Sequence, residues 1–248
     1  MVKIKKRVLK DNEIYLKDKT KRISIIEGVF NSFHEGFGIK YITPFALALG
    51  KNNPHVNIII GLLTSLPQLL GTISQFWTSR LLSFIQRKYL LTIGVIIQSL
   101  LWLLIIFSGF MYYMFNSSSD FSLILLLVSY TLLVTSGSFV SPIWVSLMKD
   151  IVYDNRGNFF GIRNRIVGFV AILGSLVAGL LLFYFESINI FYGFVIIFFI
   201  AFIFRLLSGL SFLYHYEPKF KPATKSYFSF FSFVKKFIRV ILHDSVFL

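Results

Sequence analysis

The chain has 248 residues, of which 56% are hydrophobic and 15% are charged, and its mean hydropathy is +0.74. Soluble domains carry about 25% charged residues, so this chain has too few to cover a water-soluble globular protein. The composition favours an integral membrane protein. The sequence contains no cysteine, which excludes disulfides and thiolate metal sites. The net charge of +14 could suit a nucleic-acid binder, but the basic residues lie outside the apolar segments, where membrane topology explains them better.

Six apolar segments are long enough to cross a bilayer, because a transmembrane helix needs about 20 apolar residues. We predict an all-α integral membrane fold in which residues 23–214 form a bundle of six transmembrane helices. A basic segment at 1–22 precedes the bundle and a tail at 215–248 follows it. The predicted spans lie near 24–49, 57–81, 89–114, 121–147, 161–185 and 189–213.

The distribution of Lys and Arg predicts the orientation of the bundle. Residues 1–22 carry nine of them, and the links after spans two and four are also basic. The links after spans three and five carry none. By the positive-inside rule we expect a multi-pass protein of the cell (plasma) membrane with both termini in the cytoplasm. Arg205 lies towards the cytoplasmic end of span six, and we expect it to snorkel to the lipid interface.

Span one contains most of the polar side chains that we predict inside the bilayer. Glu27, Asn31, His34 and Glu35 fall within about a quarter-turn of one another at 100° per residue. Polar groups in a span usually face a cavity or another helix, so these four are candidates for substrate binding or proton coupling. Glu35 lies about 12 Å deeper than Glu27, where an unpaired carboxylate favours protonation. The alternative is a structural role in which they bond to neighbouring helices.

Two further features belong to the outer part of span one. Lys40 is expected to point away from the polar stripe, and to pair elsewhere or snorkel outward. Pro44 is expected to kink the outer end of the span.

Span two carries small and polar residues at steps of four and three, which is typical of a helix-packing seam. Gln68 and Gln75 are, in addition, candidates to contact a solute, as are Thr131 and Thr135 in span four. Spans three and six consist almost entirely of Leu, Ile and Phe, and we expect them to face lipid. The seam of span two consists of Gly61, Ser65, Gln68, Thr72, Gln75 and Ser79.

The sequence contains no pattern that predicts catalysis. A nucleophile elbow, a phosphate-binding loop and a cluster of metal ligands at useful spacing are all missing. We therefore predict no enzymatic activity, no metal and no cofactor. A selectivity-filter loop typical of ion channels is missing too.

Three stretches of the chain resemble the N-terminal half of a major facilitator superfamily transporter. They are residues 27–67, the basic turn that ends at Arg87 and Lys88, and residues 144–164. The turn departs from the family pattern G-x-x-x-D-R-x-G-R-R, because Ser83 stands at the Asp position and only the terminal basic pair remains. The resemblance implies gating contacts in the cytoplasmic loops. The candidates are Arg87, Lys88, Asp150, Arg156, Gly157 and Arg163.

The resemblance implies a secondary active transporter of a small solute, in which two six-helix halves alternate access to a site near the midplane. Proton coupling would run through the carboxylates of span one. The family has twelve spans, so we expect a second six-helix half, in the same longer chain or as a second copy. The tail, with an amphipathic helix expected near 227–243, resembles the start of the central loop of such a transporter. The alternative is a non-transporting half that acts as a membrane assembly or partner subunit.

Overall fold

A computed structural model describes the backbone of residues 2–82, 84–114 and 118–218, and side chains from residue 12 onwards except that of Ser79. The amphipathic helix predicted near 227–243 lies outside these ranges. Short 3-10 turns follow the first and the last helix, at Ile39–Tyr41 and Phe212–Tyr214. The helices in the described ranges are α1 (Val2–Phe37), α2 (Ile42–Leu49), α3 (Val56–Leu81), α4 (Arg87–Met114), α5 (Ser119–Ile151), α6 (Arg156–Glu186) and α7 (Ile190–Ser211).

Five helices of the described chain, α3 to α7, are long and apolar enough to cross a bilayer. They correspond to predicted spans two to six. Predicted span one, at 24–49, is not among them, because its charged and amide side chains lower its hydropathy. The structure also divides this span into α1, a 3-10 turn and α2, and α1 continues without a break through the segment predicted at 1–22.

The break in the first span occurs at Gly38 and not at Pro44. The ring of Trp102 lies so close to Gly38 that an added Cβ would overlap it. Glycine is also a poor helix former, and α1 ends one residue earlier, at Phe37. Pro44 is the third residue of α2, where its missing N–H costs no helical hydrogen bond. The expected proline kink is therefore replaced by a glycine break six residues earlier.

The described helices pack as an open series of neighbours that begins at α3 and ends at α6. α3 contacts α5, α5 contacts α4, α4 contacts α7, α7 contacts α1, and α1 contacts α6. A core of aromatic side chains joins α2, α4 and α7. Phe45 of α2 lies 5.0 Å, centroid to centroid, from Phe198 of α7, which lies 5.3 Å from Trp102 of α4. This core fixes the helices that surround the candidate site.

The expectation that spans three and six face lipid is wrong for much of their surface. Their most apolar windows, in α4 and α7, are 44% and 39% buried inside the chain, against 22% for α3 and 11% for α6. The physical reason is that a helix apolar on all sides contains no signal for which side packs. Here α4 lies between α5 and α7, whereas α3 and α6 lie at the two ends of this series of neighbours.

The polar seam predicted on span two is exposed and does not pack within the chain. Ser65, Gln68, Thr72 and Gln75 are all exposed. α3 instead contacts α5 through another face, where Thr78 Oγ1 donates to the Phe139 carbonyl at 3.0 Å. The described helices therefore leave a polar stripe on α3 without a neighbour.

Candidate functional site

A cavity of about 520 Å³ lies among α1, α3, α4, α5, α6 and α7. Its volume falls within the range of about 300–1,000 Å³ that is usual for small-molecule sites. Its walls include five of the eight side chains that the sequence predicts to contact a solute or a proton. These are Glu27, Asn31, His34, Glu35 and Gln68.

Arg205 of α7 lies at the centre of the polar wall. It is only 7% exposed, and its Nε donates to Gln98 Oε1 at 2.6 Å. Its Nη1 donates to Asn31 Oδ1 and to Ser208 Oγ. The expectation that Arg205 snorkels is therefore wrong. The guanidinium turns inward because amide and hydroxyl oxygens of three helices satisfy its donors there, as an intramembrane cation requires.

Glu27 connects Arg205 to α6. Arg163 Nη2 donates to Glu27 Oε2 at 3.1 Å, and Ser208 Oγ donates to Glu27 Oε1 at 3.0 Å. The guanidinium of Arg163 also lies over the ring of Trp144, 4.6 Å from its centroid. A Cβ added to Gly28 would lie 2.8 Å from Arg163 Nη2, so glycine at this position leaves room for the ion pair. Arg163, predicted as a loop residue, is thus placed in the cavity wall.

Asn31 extends these contacts towards Glu35. Its Nδ2 donates to Glu35 Oε1 at 2.8 Å while its Oδ1 accepts from Arg205. Two cations and two carboxylates alternate along the resulting chain, and within it Arg163 forms an ion pair with Glu27. We call this chain the polar network, and it runs through Arg163, Glu27, Ser208, Arg205, Asn31 and Glu35.

Gln98 supports the polar network from α4 and was missed by the sequence analysis. It accepts from Arg205, and its Nε2 donates to the Leu133 carbonyl of α5 at 3.0 Å. The available signal was a single glutamine in an otherwise apolar span. Since an unsatisfied amide is costly in a bilayer, such a residue predicts a polar partner on another helix, although the sequence does not say which.

His34 lies in the cavity wall without a polar partner. It is 2% exposed, and neither ring nitrogen has a hydrogen-bond partner among the described residues. Its ring packs edge-on against Trp102 at 5.4 Å between centroids. Among the described residues, no group of three or more His, Asp and Glu side chains is placed to hold a metal ion.

The remaining predicted solute contacts lie outside the cavity wall. Thr131 is buried, Thr135 is half-buried, and their hydroxyls have no hydrogen-bond partner within the described chain. Gln75 is exposed on α3. The structure therefore separates these three residues from the cavity that the other five share.

Lys40 lines the same cavity, contrary to the expectation that it points away from the polar stripe. That expectation assumed a straight helix through residue 49. Because α1 ends at Phe37 and a 3-10 turn spans Ile39–Tyr41, the direction of the Lys40 side chain changes. Lys40 is exposed and has no ion-pair partner among the described residues.

A second set of charged side chains connects the loops near the first residue of α4. Arg87 Nη1 lies 2.7 Å from Asp150 Oδ2, and Arg87 Nε lies 3.3 Å from Glu217 Oε1. The Arg87 side chain is only 1% exposed. We call Arg87, Asp150 and Glu217 the loop cluster. It joins two of the predicted gating candidates to a carboxylate that the sequence analysis did not consider.

Glu217 also caps α4. The backbone N–H groups of Arg87 and Lys88, the first two residues of the helix, donate to its carboxylate at 2.9 and 3.2 Å. A carboxylate at a helix N-terminus satisfies orphan donors and complements the helix dipole. The sequence signal was indirect: α4 begins after Gln86, which is not a preferred N-cap residue.

The other predicted loop residues are placed differently. Arg156 Nε and Nη2 donate to the carbonyls of Val152 and Lys149, at 2.7 and 3.1 Å, and so bind the end of α5. Gly157 is exposed. The Lys88 side chain is half-buried, and its Nζ lies 5.0 Å from the centroid of the Tyr89 ring.

The segment that follows α7 is held against α1. The backbone N–H of Tyr216 donates to Thr20 Oγ1 at 2.9 Å, and His215 Nδ1 donates to the Ser211 carbonyl at 3.1 Å. His215 is 2% exposed, and this burial lowers its pKa to about 4. A neutral imidazole therefore lies beside the chain segment that leads to Glu217.

Comparison with known proteins identifies the family. The family model of the Major Facilitator Superfamily matches residues 29–248. Neither a curated protein nor a solved structure matches the chain. The matched region includes every helix from α2 to α7 and most of the polar network. The chain therefore belongs to the major facilitator superfamily, a family of membrane transporters.

Proposed function

We propose that this chain moves a small solute across the cell membrane by alternating access, with the cavity as the solute site. The observation that supports this proposal is the cavity of about 520 Å³, walled on one side by the polar network. Polar and ionisable groups inside a bilayer usually mark a solute or ion pathway. In this family such a site lies near the midplane, between two halves that rock about it.

The proposed topology has six crossings, with both termini in the cytoplasm. α1 together with α2 forms the first crossing, and the polar side chains that lower its hydropathy face the cavity and not lipid. The alternation of basic and neutral links supports the orientation. Single cysteines placed in the loop before α3 and in the loop before α6 test it. Only the first should react with an impermeant maleimide from outside the cell.

A second six-helix half is proposed to cover the exposed faces of α3 and α6. These helices are the least buried of the five apolar ones, and α3 exposes Ser65, Gln68, Thr72 and Gln75. A polar stripe of this kind is more stable against another helix than against lipid. The second half would lie in the same longer chain or in a second copy. Cysteine cross-linking from Gln75, with and without co-expressed tagged copies, distinguishes these two arrangements.

The same exposed faces favour the second candidate function, a non-transporting partner subunit. Reconstitution separates the two candidates. Purified protein in liposomes is tested with a panel of radiolabelled solutes under imposed gradients. Uptake above that of empty liposomes for any solute supports transport, whereas assembly with a partner and no uptake of any solute supports the partner subunit.

Proton coupling is proposed to run through Glu35. This carboxylate lies at the end of the polar network, exposed to the cavity, and one of its oxygens accepts from Asn31. Protonation there would release Asn31 and change the contacts of Arg205. We expect Glu35→Gln to abolish the stimulation of uptake by an inward proton gradient, while exchange of solute remains measurable at saturating solute.

Glu186→Gln is the matched control for this experiment. Glu186 is exposed at the last residue of α6, so its substitution removes one negative charge without touching the polar network. If Glu35→Gln retains the proton stimulation seen in the control, coupling through Glu35 is wrong, although transport itself would stand.

A further inference from the structure

Three polar side chains in the cavity wall have at least one charged or hydrogen-bonding atom without a partner among the described residues. Lys40 has no ion-pair partner among the described residues. Glu35 accepts at Oε1 from Asn31, and its Oε2 has no hydrogen bond in the described chain. His34 is 2% exposed with both ring nitrogens unpartnered. The cavity therefore presents a cation, a carboxylate oxygen and an imidazole to whatever occupies it.

The charge balance of the wall points to the kind of occupant. Glu27 and Arg163 pair with each other, and Arg205 is satisfied by Gln98, Asn31 and Ser208. The positive charge of Lys40 remains uncompensated. An occupant with an anionic group would compensate it, but a purely anionic occupant would also lie near the carboxylate of Glu35.

The placement of Glu35 and Lys40 follows from the break in the first span. Glu35 lies in the last turn of α1, and Lys40 lies in the 3-10 turn that follows Phe37. Both are exposed, and both line the same cavity. Only four residues lie between them in the sequence, and both side chains are long. A small occupant of the cavity can therefore contact both side chains.

We propose that the cavity binds a small zwitterionic solute, an α-amino acid or a compound of the same charge pattern. Its carboxylate pairs with Lys40, its ammonium group pairs with Glu35, and a further polar group faces His34. A charge removed from water is stable only when it is paired and hydrogen-bonded, and a zwitterion pairs both wall charges at once. A singly charged solute leaves one of them unpaired. This inference rests on the proposed function of the cavity.

The first part of the test uses the unmodified protein and matched ligands. Purified protein in nanodiscs is titrated with the neutral α-amino acids, with their amides, which keep only the ammonium group, and with their N-acetyl derivatives, which keep only the carboxylate. We expect at least one amino acid to bind, and each singly charged derivative to bind about tenfold or more weakly, the usual cost of one lost charge-assisted contact.

The second part uses variants to assign the two contacts. Lys40→Gln should remove the discrimination between amino acid and amide, because no carboxylate partner is left. Glu35→Gln should remove the discrimination between amino acid and N-acetyl derivative. Lys51→Gln, in the exposed loop before α3, is the matched control and should keep both. Discrimination is the ratio of the affinities of one variant for two ligands. A general loss of stability lowers both affinities and leaves this ratio unchanged.

The proposal is overturned if the singly charged derivatives bind as tightly as the amino acids, or if both discriminations persist in the two variants. It is also overturned if the liposome assay shows uptake of other solutes while no zwitterion binds. In that case the proposed transport function stands. Absence of uptake for every solute, with amino-acid binding intact, would instead refute transport and leave the zwitterion site in place.

Discussion

Replacing Arg205 with methionine removes the cation at the centre of the polar network while keeping most of the side-chain volume. Gln98 Oε1 and Asn31 Oδ1 then lose their charged donor. Removing one partner of a buried charge network usually costs about 3–5 kcal/mol, because the groups left behind are buried and unpaired. Arg205 is only 7% exposed, so water compensates little of this loss.

Thermal unfolding in detergent, followed by tryptophan fluorescence, measures the effect. Arg165→Met, at an exposed position of α6, removes the same kind of charge without touching the network. Arg205→Lys should be intermediate, because one ammonium group cannot reproduce the fork of a guanidinium that contacts two amides.

Combining Arg205→Met with Glu27→Gln should cost less than the sum of the two single substitutions, by about 1 kcal/mol or more, since residues of one network are coupled. If Arg205→Met is no more destabilising than Arg165→Met, Arg205 faces the lipid interface. The inward placement of the network would then be refuted.

Two further predictions concern the loops. The pKa of His215 is lowered to about 4, so between that pH and about 6.5, its usual value, only the unfolded chain binds the proton. Stability is then lost as pH falls through this window, by about 3 kcal/mol. His215→Gln should flatten the dependence of melting temperature on pH between 7 and 4, and an unchanged slope would show that His215 is not its source. Glu217→Gln, which weakens the pairing with Arg87, and Glu217→Ala, which also removes the cap of α4, should destabilise progressively. The alanine variant should cost about 1 kcal/mol or more, and equal melting temperatures for both variants and the unmodified protein would contradict the cap.

The site shows where inference from the sequence stops. The helical periodicity of α1 placed Glu27, Asn31, His34 and Glu35 on one face, and all four line the cavity. The same periodicity misplaced Lys40, because it assumed one helix through residue 49. Gly38, where the span breaks, packs against the ring of Trp102, which is 64 residues further along the chain. No local pattern contains such a contact.

Helical periodicity also could not predict which side chains of different helices pair with one another. Arg205 was assigned to the lipid interface because a single cation in an apolar span has two solutions, snorkelling or pairing. The choice depends on whether other helices bring oxygens within reach, and Gln98 and Asn31 do so from α4 and α1. The role of Glu217 at the start of α4 was hidden for the same reason, because its partners lie about 130 residues away.

The sequence by itself determined the class of the protein, five of its apolar spans, the polar face of its first span and its family. These follow from composition, from the length of apolar segments and from local periodicity, which need no knowledge of neighbours. The tertiary structure decided which apolar helices lie inside, where the first span breaks and which charges pair. Packing between distant segments fixes these features, because the free energy of a polar group in a bilayer depends on the partners that surround it.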